Sequence, residues 1–333
     1  MFFDTQDSQE GLRLLGFEDV QQSLIHDFNN HKLHHAIILS GNYGIGKSNF
    51  AKLLTQTLLV NHNQGNFADQ IAKIKSNSHP DLLYITRRID PKTKKLKRDI
   101  NIDEIRKINN FLNLTATFSQ NRVIIIDDID SLNKNAANAL LKNLEEPPEN
   151  CFFILINHNL SKILPTILSR CKIVKIPNLS DANFYQIIKS NNKNIKKNHL
   201  QFYSSLTNNS PALTLQMIEN KILKIYQQIC QIIYQKDHNL LAKLIEKKST
   251  DDQNYHNLSE LISYFLSKAS KINYVNDNFI DQDEEDALNC ISNSFNFEQL
   301  FDLTLKINHL INNTKTLNLD KKTTINNIFS LIL

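Results

Sequence analysis

The loop at residues 41–48 constrains the fold of this chain more than any other stretch of its sequence. It has the sequence GNYGIGKS and holds three of the chain's six glycines, so its backbone needs conformations that side chains disfavour. An apolar run at 36–39 leads into the loop, and apolar residues at helical spacing follow it from Phe50 onward. A glycine-rich loop between a buried strand and a helix indicates an α/β fold with a phosphate-binding loop, or P-loop.

The spacing G-x-x-x-x-G-K-S also predicts the chemistry of this loop. Backbone N–H groups converge on phosphate oxygens only where no side chain blocks their approach. The lysine of such a loop reaches the β- and γ-phosphates of a nucleotide, and the hydroxyl that follows ligates Mg²⁺. We therefore expect ATP with Mg²⁺ as the ligand. The expected nucleotide-binding residues are Gly41, Asn42, Gly44, Ile45, Gly46, Lys47 and Ser48.

A second part of this site is predicted where the apolar run 123–126 ends in Asp127 and Asp128. Ligands of open α/β sheets bind beyond the carboxyl ends of the strands. Asp127 can hold Mg²⁺ through water, beside Ser48. Asp128 stands where hydrolytic P-loop enzymes usually carry a glutamate, and its side chain is one methylene shorter. Because a misplacement of about 1 Å can lower a rate about a hundredfold, we expect binding with weak or absent hydrolysis.

Short apolar runs recur through the first half of the chain, at 36–40, 82–85, 123–126, 152–156 and 173–176. Helical patterns lie between them. Continuous apolar strands that alternate with helices predict a parallel five-stranded sheet with helices on both faces.

The strand patterns stop after Pro177, and apolar stripes with helical spacing take their place. The fold class is therefore α/β followed by all-α. We expect three domains: a nucleotide-binding domain at 1–177, a small helical domain at 178–218 and a larger helical domain at 219–333.

Four motifs in order give the chain a specific resemblance. They are LHHA at 33–36, HPD at 79–81, NAANALLKNLEEPP at 135–148 and LSRC at 168–171. In these motifs and in the P-loop the chain resembles the delta-prime family of the bacterial DNA polymerase III clamp loader. That family belongs to the AAA+ proteins and is related to the gamma and tau subunits. The resemblance implies that the two helical domains are a lid and a collar that serves in oligomerisation.

The same resemblance assigns roles to single residues. Arg170 matches an arginine finger that reaches the ATP of a neighbouring subunit, and Asn157 matches the sensor-1 position at the end of the fourth strand. Two departures stand out. The stretch 208–213, which matches the start of the sensor-2 helix, has no arginine, and residues 61–80 have no cysteine, so no zinc is expected. Together with Asp128, the missing arginine favours a stationary partner over an ATPase motor.

The expected function is that of a clamp-loader subunit in the replicative polymerase holoenzyme. The chain would help ATP-dependent loading of the sliding clamp on primed DNA, with gamma/tau and delta subunits as partners. It is at most a weak ATPase and not itself a polymerase, although the holoenzyme is a DNA-directed DNA polymerase (a nucleotidyltransferase). Two alternatives stay open: a gamma/tau-type ATPase motor, and a scaffold that binds no nucleotide.

Composition adds only broad limits. The formal net charge of +4 is too small to indicate a nucleic-acid binder by itself. No apolar run approaches membrane-spanning length, and the first residues do not follow a secretory signal pattern, so a cytoplasmic protein without membrane contact is expected. The four scattered cysteines are expected to be reduced.

One further segment carries concentrated charge. Arg87, Arg88 and the basic run 92–98 flank a turn at Asp90 and Pro91, which predicts a hairpin. The sequence allows two interpretations of this hairpin: a contact to DNA phosphates, or a solvated surface hairpin.

Overall fold

A computed structural model describes residues 14–60, 67–113, 117–192, 195–248, 251–272 and 279–333. It forms two compact units. The first contains the described chain up to Asn191 together with Asn209–Ala212, and the second contains Asn192–Asn208 and Leu213–Leu333. This division gives parts of 178–218 to both units, and a separate lid domain at those residues stays a prediction.

The first unit contains the predicted parallel sheet of five strands. In sheet order the strands are β2, β3, β4, β1 and β5, and every pairing is parallel. Because the strands are parallel, the loops that follow them lie at one edge of the sheet. The strands are β1 (Ala36–Ser40), β2 (Leu82–Thr86), β3 (Arg122–Asp127), β4 (Cys151–Asn157) and β5 (Lys172–Lys175).

The central strands β1, β3 and β4 are apolar and almost fully buried because helices cover them. Helix α2 contacts β3 and β4 through its apolar stripe, and α4 and α5 pack in a single core with alternate residues of β1, β3 and β4. The predicted α/β layers are thus confirmed. The helices of this unit are α1 (Glu18–Asn29), α2 (Lys47–Leu59), α3 (Phe67–Lys75), α4 (Ile102–Leu112), α5 (Lys134–Glu145), α6 (Pro165–Leu168) and α7 (Asp181–Asn191).

Every described element after β5 is a helix, as expected. The predicted stripes are buried: Ile225, Ile229 and Ile232 of α10, and Leu261 and Phe265 of α12, for example. The elements are α8 (Lys197–Thr207), α9 (Pro211–Glu219), which begins in the first unit, α10 (Ile222–Gln235), α11 (His238–Lys248), α12 (Asp252–Ala269), α13 (Gln282–Ser294), α14 (Phe297–Leu317) and α15 (Lys321–Ile332).

A buried ion pair joins two helices of the second unit. Lys268 of α12 lies 3.0 Å from Glu284 of α13, which also accepts a hydrogen bond from the Tyr226 hydroxyl of α10. A buried carboxylate is tolerated only with such partners, so this network fixes the register of the three helices. Across the described helices, none has the length and apolar character that crossing a bilayer requires.

Candidate functional site

The P-loop joins β1 to α2 and depends on its glycines. Gly46 has a φ of 108°, in the left-handed region that glycine tolerates without strain. A Cβ added to Gly41 would lie 2.6 Å from the backbone oxygen of Ile176. The first glycine is therefore required by close packing and the last by its backbone angle, which explains why half the chain's glycine lies here.

Lys47, the first residue of α2, is 2% exposed and folds back on the loop. Its Nζ donates hydrogen bonds to the backbone oxygen of Gly41 at 2.6 Å and to that of Asn42. Burial lowers the pKa of Lys47 to about 8, while the nearby carboxylates, Asp127 first among them, act in the opposite direction. The ammonium form is still favoured at pH 7.

Ser48 and Asp127 meet between the loop and the end of β3. The Ser48 hydroxyl donates to Oδ2 of Asp127 at 2.6 Å, and the Tyr84 hydroxyl of β2 donates to the same oxygen at 2.5 Å. Burial, and then the charge of Asp127, raises the pKa of Tyr84 well above its ordinary value, so Tyr84 stays a donor. A hydroxyl and a carboxylate are hard oxygen ligands of the kind that Mg²⁺ takes, so these residues fit Mg²⁺ with a nucleotide.

Asp128 lines a cavity beside the P-loop, and its side chain already contacts other residues. Its Oδ1 accepts a hydrogen bond from the Ser131 backbone N–H at 3.0 Å. Its Oδ2 lies 3.9 Å from Nη2 of Arg87 and 3.6 Å from Nε2 of His158. Burial, followed by the charge of Lys47, lowers the pKa of His158, so this imidazole is neutral at pH 7. Asp128 thus caps a turn and faces a guanidinium.

Asn157 lies at the end of β4, as predicted, and is fully buried. Its side chain accepts a hydrogen bond from the Ser40 hydroxyl at 3.0 Å and donates one to Oδ1 of Asp130 at 2.6 Å. Asn157 does not line the cavity, whereas the next residue, His158, does. The structure therefore places Asn157 behind the cavity wall, where it joins β4 to β1 and to the turn after β3.

The cavity has a volume of about 360 Å³, and all of its lining residues belong to the first unit. Of the predicted residues it brings together Gly44, Gly46, Lys47, Ser48, Asp127 and Asp128, while Gly41, Asn42, Ile45 and Asn157 are not among its lining residues. The remaining lining residues are Tyr43, Asn49, Thr86, Arg87, Leu96, His158 and Ala212.

Ala212, near the start of α9, is the cavity's contact with the predicted sensor-2 stretch. Its backbone N–H donates to the backbone oxygen of Gly44 at 3.2 Å. The side chain that this position offers to the cavity is a methyl group. Among the described lining residues, Lys47 and Arg87 are the cations.

Arg170 is not a lining residue of the cavity. It follows α6, and its side chain is 35% exposed. Its Nη2 lies 2.8 Å from a carboxylate oxygen of Glu145 at the end of α5, and its Nη1 donates to the backbone oxygen of Thr166. The guanidinium is therefore held at the surface, apart from the chain's own P-loop.

Sequence reasoning missed three polar residues that contact the carboxylates of the site: Tyr84 at Asp127, and Arg87 and His158 at Asp128. A signal for two of them was present. Arg87 follows β2 and His158 follows β4, just as Asp128 follows β3, and all three positions lie at the edge where parallel strands end. Tyr84 gave no signal, because an aromatic residue inside a strand is most often part of the core.

Comparison with known proteins now decides the family. A family model described as "DNA polymerase III, delta subunit" matches residues 16–180. DNA polymerase III subunit delta' of Buchnera aphidicola subsp. Schizaphis graminum is 32% identical over 232 residues, which cover 66% of this chain and 67% of that protein. The chain belongs to the DNA polymerase III delta-prime family.

A gamma subunit and a second delta' subunit are also similar to this delta-prime family member. DNA polymerase III subunit gamma of the same Buchnera is 27% identical over 272 residues, covering 78% of this chain and 71% of that protein. The delta' subunit of Pseudomonas aeruginosa is 33% identical over 141 residues, 41% of each chain. The P-loop, the strand order and these relatives agree on an AAA+ P-loop fold with an added helical part.

Proposed function

We propose that this chain is the delta-prime subunit of a clamp loader in the replicative DNA polymerase III holoenzyme. It would bind ATP with Mg²⁺ in its P-loop, hydrolyse it weakly or not at all, and supply Arg170 to the ATP of a neighbouring subunit. Its partners would be gamma/tau and delta subunits, the sliding clamp and primed DNA, in the cytoplasm. The observation that carries the proposal is the separation of Arg170 from the cavity that holds Lys47, Ser48 and Asp127.

Nucleotide binding would replace contacts that residues of the site now make with one another. Lys47 would exchange the Gly41 and Asn42 carbonyls for phosphate oxygens, and the loop N–H groups would donate to the same phosphates. The Ser48 hydroxyl would leave the Asp127 carboxylate and ligate the metal. Asp127 would hold the metal through water, while the hydrogen bond from Tyr84 keeps Asp127 in place. Ser48 and Asp127 would thereby hold Mg²⁺, whose positive charge would neutralise the phosphates.

Weak hydrolysis follows from two features of the cavity. Asp128 caps the turn at Ser131 and faces Arg87, so it is poorly placed to orient an attacking water. Ala212 contributes no cation where an arginine would stabilise the charge on the transferring phosphoryl group. The gamma/tau-type motor is therefore the weaker alternative.

The trans role of Arg170 requires that its side chain can leave Glu145. Both side chains are partly exposed, at 35% and 49%. An ion pair of this kind contributes about 0–1 kcal/mol, so exchanging Glu145 for a phosphate costs little. The forked guanidinium is suited to phosphate oxygens.

One observation favours the non-binding scaffold as a second candidate: Lys47 is satisfied by carbonyls of its own loop. Titration of the purified chain with fluorescent ATP and Mg²⁺ separates the two. Saturable binding that Lys47→Ala abolishes supports the nucleotide site, with Lys243→Ala, an exposed lysine of α11, as the matched control. No binding by the native chain, alone or with gamma-type subunits, would establish the scaffold instead.

A further inference from the structure

The hairpin after β2 concentrates the positive charge of this chain. Residues 87–98 hold seven arginines and lysines and one carboxylate, Asp90, which gives six net positive charges in twelve residues. The whole chain has a formal charge of +4, so the other 321 residues together carry two net negative charges. The basic character of the protein therefore lies in this one segment, which we name the basic hairpin.

Hydrogen bonds hold the basic hairpin in a defined shape. Ile89 and Leu96 form an antiparallel bridge, and Lys97 N donates to the Arg88 backbone oxygen at 2.8 Å. The carboxylate of Asp90 accepts the backbone N–H groups of Lys92 and Thr93, both at 2.9 Å. The only acidic side chain of the hairpin is thus used to close its turn.

The seven cations of the hairpin differ in whether an acidic side chain lies within salt-bridge distance. Arg88 pairs with Glu104 at 2.6 Å, and Arg87 faces Asp128. The other five side chains are exposed, and none of them forms a salt bridge with a described residue. We name these five the unpaired cations: Lys92, Lys94, Lys95, Lys97 and Arg98.

We propose that the unpaired cations of the basic hairpin bind the phosphate backbone of DNA, an inference that rests on the proposed clamp-loader function. A row of exposed cations next to a polyanion releases condensed counterions, which drives binding without reading sequence. Residues 87–98 contain no aromatic side chain, so the hairpin has no platform for stacking unpaired bases. Four of the five unpaired cations are lysines, which act as point charges toward phosphate. The hairpin therefore makes a sequence-independent backbone contact.

Neutralising four of the five unpaired cations tests this inference. The variant Lys92→Gln, Lys95→Gln, Lys97→Gln, Arg98→Gln removes four charges and keeps the turn, including Lys94 with its positive φ of 54°. The matched control, Lys224→Gln, Lys243→Gln, Lys247→Gln, Lys315→Gln, removes four exposed lysines of the second unit. The net charge of both variants is the same. Thermal unfolding monitored by circular dichroism checks that both are folded.

The readout is fluorescence anisotropy of a labelled DNA duplex with a single-stranded overhang, measured across a salt series with the full chain. We expect the log–log salt slope of the hairpin variant to be shallower by about 3 to 4, because each lost duplex phosphate contact contributes about 0.9. Its affinity at the lowest salt should fall at least about tenfold. The control variant and the native chain should bind alike, and two unrelated DNA sequences should be bound equally.

Four outcomes would overturn the proposal. Equal losses in both variants would mean that the charge acts diffusely, and unchanged binding by the hairpin variant would mean that the hairpin is only solvated. Unchanged DNA binding together with failure to co-elute with gamma-type subunits would assign the hairpin to an acidic protein surface. A native chain that binds no DNA at low salt, alone or assembled with those subunits, would also rule it out.

Discussion

Ser48 of the P-loop donates a hydrogen bond to Asp127 at the end of β3, with 2.6 Å between Oγ and Oδ2. The two residues are 79 positions apart and meet because β1 and β3 flank β4 in one parallel sheet. Both line the same cavity. The contact therefore sets the distance between the two side chains that would hold a nucleotide-bound Mg²⁺.

Tyr84 is expected to hold Asp127 in this position. Tyr84→Phe removes a hydrogen bond to a partly buried carboxylate, so the free energy of unfolding should fall by about 1.5–3 kcal/mol. Urea denaturation measures this change. Tyr234→Phe, at an exposed tyrosine of α10, is the control and should change it by less than about 0.5 kcal/mol. An equal change in both variants would show that the Tyr84 bond contributes nothing.

Lys47 should make stability depend on pH above neutrality. Its pKa is about 8 in the folded chain, below the ordinary value of 10.5, so between these two pH values the unfolded chain binds more protons. Stability then rises with pH over that window. The difference in free energy of unfolding between the native chain and Lys47→Met should shift in favour of the native chain from pH 8 to 10.5. A difference that stays constant over this range would contradict the assignment.

Restoring the two missing catalytic features should raise ATP turnover. Ala212→Arg would place a cation at the cavity, and Asp128→Glu would extend the carboxylate by one methylene. We expect the double variant to hydrolyse ATP at least tenfold faster than the native chain, since one oriented group contributes about 10²–10³ in rate. Ala212→Gln with Asp128→Gln is the uncharged control. Equal, negligible turnover in both would show that other features limit hydrolysis.

The sheet, the helical second half and the main site residues could be predicted from sequence because they depend on local patterns. Strand runs such as 123–126 and the glycine spacing at 41–48 report burial and backbone geometry directly. The engagement of Asp128 with Arg87 and His158 could not be predicted, because it depends on which strands are neighbours. For the same reason Asn157 matched a strand end, while the side chain that reaches the cavity is that of His158.

The segment after β5 shows a second limit of sequence reasoning. The apolar stripes predict the helices, but they do not predict that the first unit extends through α7 and also includes residues 209–212. Asn209 bonds to Leu179 and Asp181, and Ala212 bonds to Gly44. These contacts link residues that are distant in sequence and leave no periodic signal.

The most direct test of the central claim is ATP turnover by this chain assembled with gamma- and delta-type subunits, comparing the native chain with Arg170→Ala. Arg106→Ala, which removes an exposed, ion-paired arginine of the same unit, is the matched control. An arginine finger contributes at least about 10³ in rate, so Arg170→Ala should silence the adjacent site and lower turnover per assembly severalfold. Size-exclusion chromatography should show unchanged assembly. Turnover that is indifferent to Arg170→Ala would contradict the account.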